Sequence, residues 1–214
     1  MGFADRRDAG RQLANMLEHY RGKEGVIVLG LPRGGVVVAE EIARALNVAL
    51  DILIVRKIGF PGNPELAAGA VSETGTVVIN EDIVSVYGVG RGYLDDETAR
   101  KMEEIVRRKA LFRGGKGIPH LAGRTVILVD DGIATGATVK AAIATLREEK
   151  LARLVVAMPV ASPEAEEEIS RNVDEWVCLL APAGFMAVGS YYRDFTQVED
   201  EEVVAILKGR ATSA

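Results

Sequence analysis

Apolar positions along the chain alternate between two spacings. From Asp5 to Tyr20 they fall at Ala9, Leu13, Met16, Leu17 and Tyr20, which predicts a helix stopped by Gly22. Val26 to Leu31 is a short continuous apolar run and predicts a strand buried on both faces. Pro32-Arg33-Gly34-Gly35 follows, then helical spacing from Val36 to Leu46 that ends at Asn47. Leu50 to Val55 predicts a second strand. Arg56 to Gly75 contains Gly59, Pro61, Gly62, Pro64, Gly69 and Gly75, and predicts a long loop leading into a hairpin whose returning strand is Thr76 to Ile79.

Further along, Leu94 to Phe112 is densely charged, with Met102, Ile105, Val106 and Phe112 on one stripe, and predicts an exposed amphipathic helix. Arg113 to Gly117 is a basic, glycine-rich connector. Strands are expected at Thr125–Val129, Leu154–Val160 and Glu175–Leu180. Helices are expected at Ala137–Glu148, from Pro163 to about Arg171, and at Asp200–Leu207. The alternation argues for an α/β fold, a parallel sheet of about five strands flanked by helices, in one domain over residues 1–214.

Composition narrows the function. Hydrophobic residues are 48% and charged residues 27%, ordinary for a globule and too apolar for disorder. Aromatics are only 5%, so aliphatic side chains must build the core. The net charge of −5 disfavours nucleic acid as a partner, since non-specific affinity comes from neutralising phosphates. One cysteine, Cys178, excludes an internal disulfide and a thiolate metal cage; it reads as core rather than nucleophile. His19 and His120 have no metal-ligand spacing. The absence of an apolar leader or span leads to the expectation of a cytoplasmic protein without a membrane partner. Glycine is in surplus, 23 residues against roughly 15 expected at average usage.

The densest chemistry lies in Val126 to Thr138, VILVDDGIATGAT. An apolar strand ends in Asp130 and Asp131, and Thr135-Gly136-Ala137-Thr138 opens a helix. A helix N-terminus with free N–H groups, a glycine and two hydroxyls suits a phosphate. The acids would repel that phosphate if they faced it. They make sense as acceptors for sugar hydroxyls or as holders of a divalent cation. The segment therefore reads as a sugar-phosphate site. It is neither a P-loop nor a dinucleotide fingerprint.

This segment resembles the phosphoribosyl pyrophosphate (PRPP) motif of the type I phosphoribosyltransferases. Other stretches fit the same family: Leu31 to Gly35 after the first strand, a lid over about residues 56–80, and a C-terminal hood over about 181–198. The resemblance implies Mg²⁺-dependent phosphoribosyl transfer from PRPP to a nucleobase-like acceptor, with release of pyrophosphate. It gives Asp130 and Asp131 the ribose hydroxyls, and Ala134, Thr135, Gly136, Ala137 and Thr138 the 5′-phosphate. Pyrophosphate falls to Arg33, Gly34, Gly35, Arg56 and Lys57, with Asp130, Asp131 and Lys57 as the catalytic group. Mg²⁺ would be held mainly through PRPP, with Asp194 as a protein ligand. Phe185 would stack on the base, while Tyr191, Tyr192 and Phe195 read as packing. Members acting on 6-oxopurines carry an acid where this chain has Ala134, which points away from hypoxanthine and guanine. Glu65 and Glu73 in the lid region are candidates for acid–base help. The alternative on the same scaffold is a PRPP- or nucleotide-sensing regulator. The Leu94–Phe112 helix is a candidate homodimer surface.

Overall fold

The computed structural model describes residues 2–211. In chain order its elements begin with α1 (Arg6–Met16), β1 (Val26–Gly30), α2 (Gly34–Leu46), β2 (Ala49–Ile52), β3 (Val55–Phe60), β4 (Asn63–Ser72), β5 (Val77–Ile79), α3 (Glu81–Tyr87) and α4 (Arg91–Arg113). They continue with β6 (Thr125–Val129), α5 (Ala137–Arg147), β7 (Arg153–Val160), α6 (Pro163–Ser170), β8 (Glu175–Leu180) and α7 (Asp200–Ala211). The chain forms two compact units. One comprises the chain through Ile52, Ile118–Gly136 and Glu149 onward; the other comprises Leu53–Gly117 and Ala137–Glu148.

The first unit holds a five-stranded sheet in the order β2-β1-β6-β7-β8. Every neighbouring pair is parallel. β1 is buried along its whole length and β6 along all but its first residue, as runs covered on both faces must be. The expected class and sheet are thus observed. Leu13, Leu17, Val38, Ile42 and Leu46 of the helical side pack with Val28, Ile127, Val129 and Val155 of the strands in one core. Asp5 caps α1 by accepting from the Asp8 N–H at 2.7 Å. The buried stripe of α1 is Arg6, Ala9, Gly10, Leu13 and Ala14, shifted from the expected one, so Met16 is 51% exposed. A Cβ at Gly10 would sit 2.7 Å from Glu41 Cβ and from the Val38 carbonyl, so this glycine lets α1 lie close on α2.

The second unit overturns the expectation of a loop. Residues 55–79 form an antiparallel sheet, β3-β4-β5. The Pro61-Gly62 pair is the hairpin turn, with Gly62 at φ 78°. Its strands are built partly from Ala67, Ala68, Gly69 and Ala70, residues of low strand propensity that conceal a β pattern. Gly69 has its own reason: a Cβ there would lie 2.6 Å from the Val78 carbonyl on β5. Glu73, a candidate for acid–base help, is buried; it accepts from the Ile54 N–H at 2.9 Å and is ion-paired with Arg113. The Glu65 side chain lies outside the described residues. Helix α3 was not expected, although Asn80 caps its start and Gly88 ends it at φ 63°. On α4, Leu94, Ile105 and Phe112 are buried, while Val106 of the expected stripe is 61% exposed. Among the described residues, no helix is long and apolar enough to cross a membrane.

Candidate functional site

Strand order reverses between β1 and β6, which are hydrogen-bonded neighbours in the register Gly30↔Val129. In open parallel sheets, ligands bind beyond the carboxyl ends of strands at such a switch point. Two of the segments singled out in the sequence emerge there side by side: Leu31 to Gly35 after β1, and Asp130 to Gly136 after β6. The Leu31 N–H donates to the Val129 carbonyl at 2.9 Å and fixes their separation.

The two loops touch through missing side chains. A Cβ on Gly34 would fall 1.9 Å from Asp131 Oδ2, and one on Gly35 would fall 2.8 Å from Asp130 Cα and 2.9 Å from Asp130 Oδ1. No larger residue fits either position without moving the acids. The Pro32–Arg33 peptide between β1 and this pair is cis. Arg33 NH1 lies 3.5 Å from Glu199 and 3.6 Å from Asp200, at the start of α7.

The acids differ in their partners. Asp130 Oδ1 accepts from the Asp131 N–H at 2.8 Å. Asp131 Oδ2 accepts from Arg6 Nε at 2.7 Å, and both side chains are mostly buried, at 17% and 10% exposed respectively. The Tyr192 hydroxyl donates to the Asp131 carbonyl at 2.6 Å. Burial, and then the Asp131 charge beside it, push the Asp130 carboxyl well above the usual carboxylate range. Burial also pushes Asp131 up, against the pull of the Arg6 guanidinium. The two carboxyls are adjacent and shielded, and Arg6 pairs with one of them, Asp131.

After Gly132, Ile133 is anchored to the sheet by bonds to Val160 and Ser162, and the Ser162 hydroxyl donates to the Ala134 carbonyl at 2.8 Å. Thr135 is exposed, and Gly136 turns at φ 75°, a conformation glycine adopts freely. Helix α5 begins at the next residue, Ala137, followed by Thr138; these two belong to the second unit. Arg56 and Lys57 also belong to the second unit, on β3. There Arg56 is ion-paired with Glu104 at 2.7 Å, and Lys57 is exposed.

The hood segment is an aromatic cluster. Phe185 stacks on Tyr191 with ring centroids 5.6 Å apart, and Tyr192 packs between Phe3 and Phe195. Asp194 is exposed and accepts from both the N–H and the hydroxyl of Thr196. Among the described residues, no group of three or more His, Cys, Asp or Glu side chains is arranged to hold a metal ion. Burial raises the Cys178 thiol to about 11, which keeps it protonated and unreactive near neutral pH.

Arg6 escaped the sequence reading, and its signal was a charge on the apolar stripe of α1, at the 6-9-10-13 spacing. Tyr192 was read as packing only, because nothing in its neighbours announces a bond to Asp131.

Comparisons with known proteins follow this geometry. The profile of the phosphoribosyl transferase domain matches residues 6–193. The "Putative phosphoribosyl transferase Rv0571c" of Mycobacterium tuberculosis is 47% identical over 205 residues, 96% of this chain and 46% of the relative. The chain thus spans about half the length of that relative. The crystal structure of TT1426 from Thermus thermophilus is 47% identical with a TM-score of 0.82, covering 98% of this chain and 99% of that one. A hypothetical protein from Neisseria gonorrhoeae with bound ppGpp shares the fold alone, at 12% identity and TM-score 0.54, over 98% of this chain and 94% of its own. With its motif, its sheet and its profile match in agreement, the chain belongs to the phosphoribosyl transferase family.

Proposed function

We propose that the chain transfers the 5-phosphoribosyl group of PRPP to a nucleobase-like acceptor, with Mg²⁺. The observation that carries this reading is the meeting of the Gly34-Gly35 start of α2 with the Asp130–Asp131 pair at the switch point, where a Cβ on Gly34 would strike Asp131. One glycine-rich loop and one acid pair are what a ribose bearing pyrophosphate asks of a protein.

In this reading the two carboxylates accept from the ribose 2′ and 3′ hydroxyls. Ala134 to Thr138 hold the 5′-phosphate through backbone N–H groups and threonine hydroxyls. Gly34 and Gly35 bring backbone toward pyrophosphate, and Arg33 adds a cation. Arg56 and Lys57 join the pyrophosphate group on the resemblance of the sequence. Phe185 offers a face to the acceptor. The bond between ribose C1 and the pyrophosphate oxygen breaks while an acceptor nitrogen bonds to C1; pyrophosphate leaves with the electron pair of the broken bond, and a proton carried by that nitrogen passes to solvent or to the departing pyrophosphate. The chain contributes alignment and fixed charge rather than covalent chemistry. Mg²⁺, when bound, neutralises the leaving group. Mg²⁺ would be held mainly through PRPP, with Asp194 as the candidate protein ligand.

The test is pyrophosphate release from PRPP and Mg²⁺ across a panel of nucleobases, with PRPP binding followed by calorimetry. Release with at least one base, and loss of PRPP affinity in both Asp130→Asn and Asp131→Asn, is expected. Unchanged affinity in both variants overturns the reading.

A further inference from the structure

Arg6 is an unusual residue to find inside a helix stripe. It is 9% exposed, on a face otherwise made of Ala9, Gly10, Leu13 and Ala14. Burying a guanidinium is unfavourable unless its donors and charge are met. Here each demand is met by something at the site. Nε donates to Asp131 Oδ2 at 2.7 Å. NH1 donates to the Thr196 carbonyl of the hood at 2.8 Å. The guanidinium carbon lies 3.9 Å above the centre of the Phe195 ring, a cation–π contact. A Cβ on Gly34 would come within 2.8 Å of Nε, so the glycine-rich loop closes over the ion pair.

The surrounding chain is arranged to keep Arg6 there. The Phe3 N–H donates to the Tyr191 carbonyl at 2.8 Å, and the Arg193 N–H donates to the Phe3 carbonyl at 2.9 Å. Tyr192, between those two hood residues, donates to the Asp131 carbonyl. The N-terminal segment and the hood therefore grip the same acid at two points, its carboxylate through Arg6 and its backbone through Tyr192. A side chain serving packing alone needs no such partner.

We propose that Arg6 is a positioning residue: by holding Asp131 through Oδ2 it sets the carboxylate's orientation and presents Oδ1 to a ribose hydroxyl. This rests on the ribose role given above to the acid pair. Arg6 itself does not touch the sugar. Its effect is on the selectivity of the pair for a hydroxyl, not on phosphate attraction.

The test uses ribose 5-phosphate and its 2-deoxy and 3-deoxy analogues as probes, with inorganic phosphate as a reference, in calorimetry on the full chain. The wild type is expected to bind ribose 5-phosphate about tenfold more tightly than at least one deoxy analogue, the scale of a hydrogen bond to a charged acceptor. In Arg6→Met that ratio falls to near one, while phosphate affinity stays. Arg6→Lys, which keeps the charge and loses the planar fork, retains an intermediate ratio; it also serves as the readout if the methionine variant does not fold. A wild-type ratio in a folded Arg6→Met or Arg6→Lys chain overturns the inference alone. A wild-type chain that binds neither PRPP nor ribose 5-phosphate overturns the proposed function and the inference together.

Discussion

The two edges of the five-stranded sheet treat carboxylates in opposite ways. At the carboxyl edge, Asp130 and Asp131 stand side by side, shielded, with Arg6 paired to Asp131, and burial drives both upward in pKa. At the amino edge, a cleft of about 410 Å³ is lined by His19, Tyr20, Lys23, Arg153 and Glu175, among others. There Glu175 accepts from the Tyr20 hydroxyl at 2.6 Å and from Arg153 at 3.0 Å, with His19 Nε2 3.2 Å away. Against the upward push of partial burial, the bonds from Tyr20 and Arg153 hold Glu175 below the usual carboxylate range. Burial and then Glu175 itself raise the Tyr20 hydroxyl to about 12. At one edge each acid accepts a single described hydrogen bond; at the other Glu175 accepts two and is held low. The difference lies in the number of donors per carboxylate, not in the fold, since both edges belong to the same strands.

The largest break in this contrast comes from separating the two aspartates. Asp131→Asn leaves the buried Arg6 without its counter-charge and is expected to destabilise the chain by about 3 kcal/mol, the scale of a broken buried pair. Asp130→Asn removes a crowded charge, keeps the Oδ1 acceptor for the Asp131 N–H, and is expected to raise the melting temperature. Thermal denaturation of the two variants without ligand should therefore move in opposite directions, while both lose PRPP affinity. Next comes Gly34→Ala. Its methyl would collide with the Asp131 carboxylate, so PRPP affinity should fall at least about tenfold in calorimetry, with far-ultraviolet circular dichroism unchanged.

Acidity separates the edges without mutation. Asp130 has a raised folded pKa, so its contribution to stability is present below the ordinary carboxylate range and is lost as pH rises through the raised value. Glu175 has a lowered folded pKa, so its contribution is present above the unfolded value and is lost as pH falls through the folded one. Acidifying from neutral should thus first relieve Asp130 and only later release Glu175. Denaturant midpoints from pH 7 to pH 3 should rise more, before falling, in the wild type than in Asp130→Asn. The smallest effect belongs to the amino edge. Glu175→Gln weakens the Tyr20 bond and is expected to cost about 1 kcal/mol with PRPP affinity intact. A tenfold loss of affinity in that variant would show the two edges to be coupled.

How much of this was readable in the chain depends on what each segment needed. β6 matches its expected bounds because a strand covered on both faces carries a continuous apolar run, and the half-buried edge strand β8 matches its own through the run from Trp176 to Leu180. The acid pair was legible because a run of that kind ending in two carboxylates and T-G-x-T has few structural explanations. The β3-β4 hairpin was not, since glycine and alanine stand where close packing forbids bulk, and the same residues mark loops. Arg6 was illegible for a different reason. Its partner is 125 positions away, and nothing local distinguishes a buried arginine from a solvated one except its place on the helix stripe.

The Phe3–Tyr192 bridge, finally, ties nearly the first described residue to one near the end of the chain. Contacts of such sequence separation form late, because the loop between them must be ordered first. Until those contacts form, Asp131 lacks the grip of both Arg6 and Tyr192. On a ribosome, the acid pair emerges well before the hood that clamps it. Loss of either the Phe3–Arg6 segment or the hood should leave Asp131 held at one point instead of two.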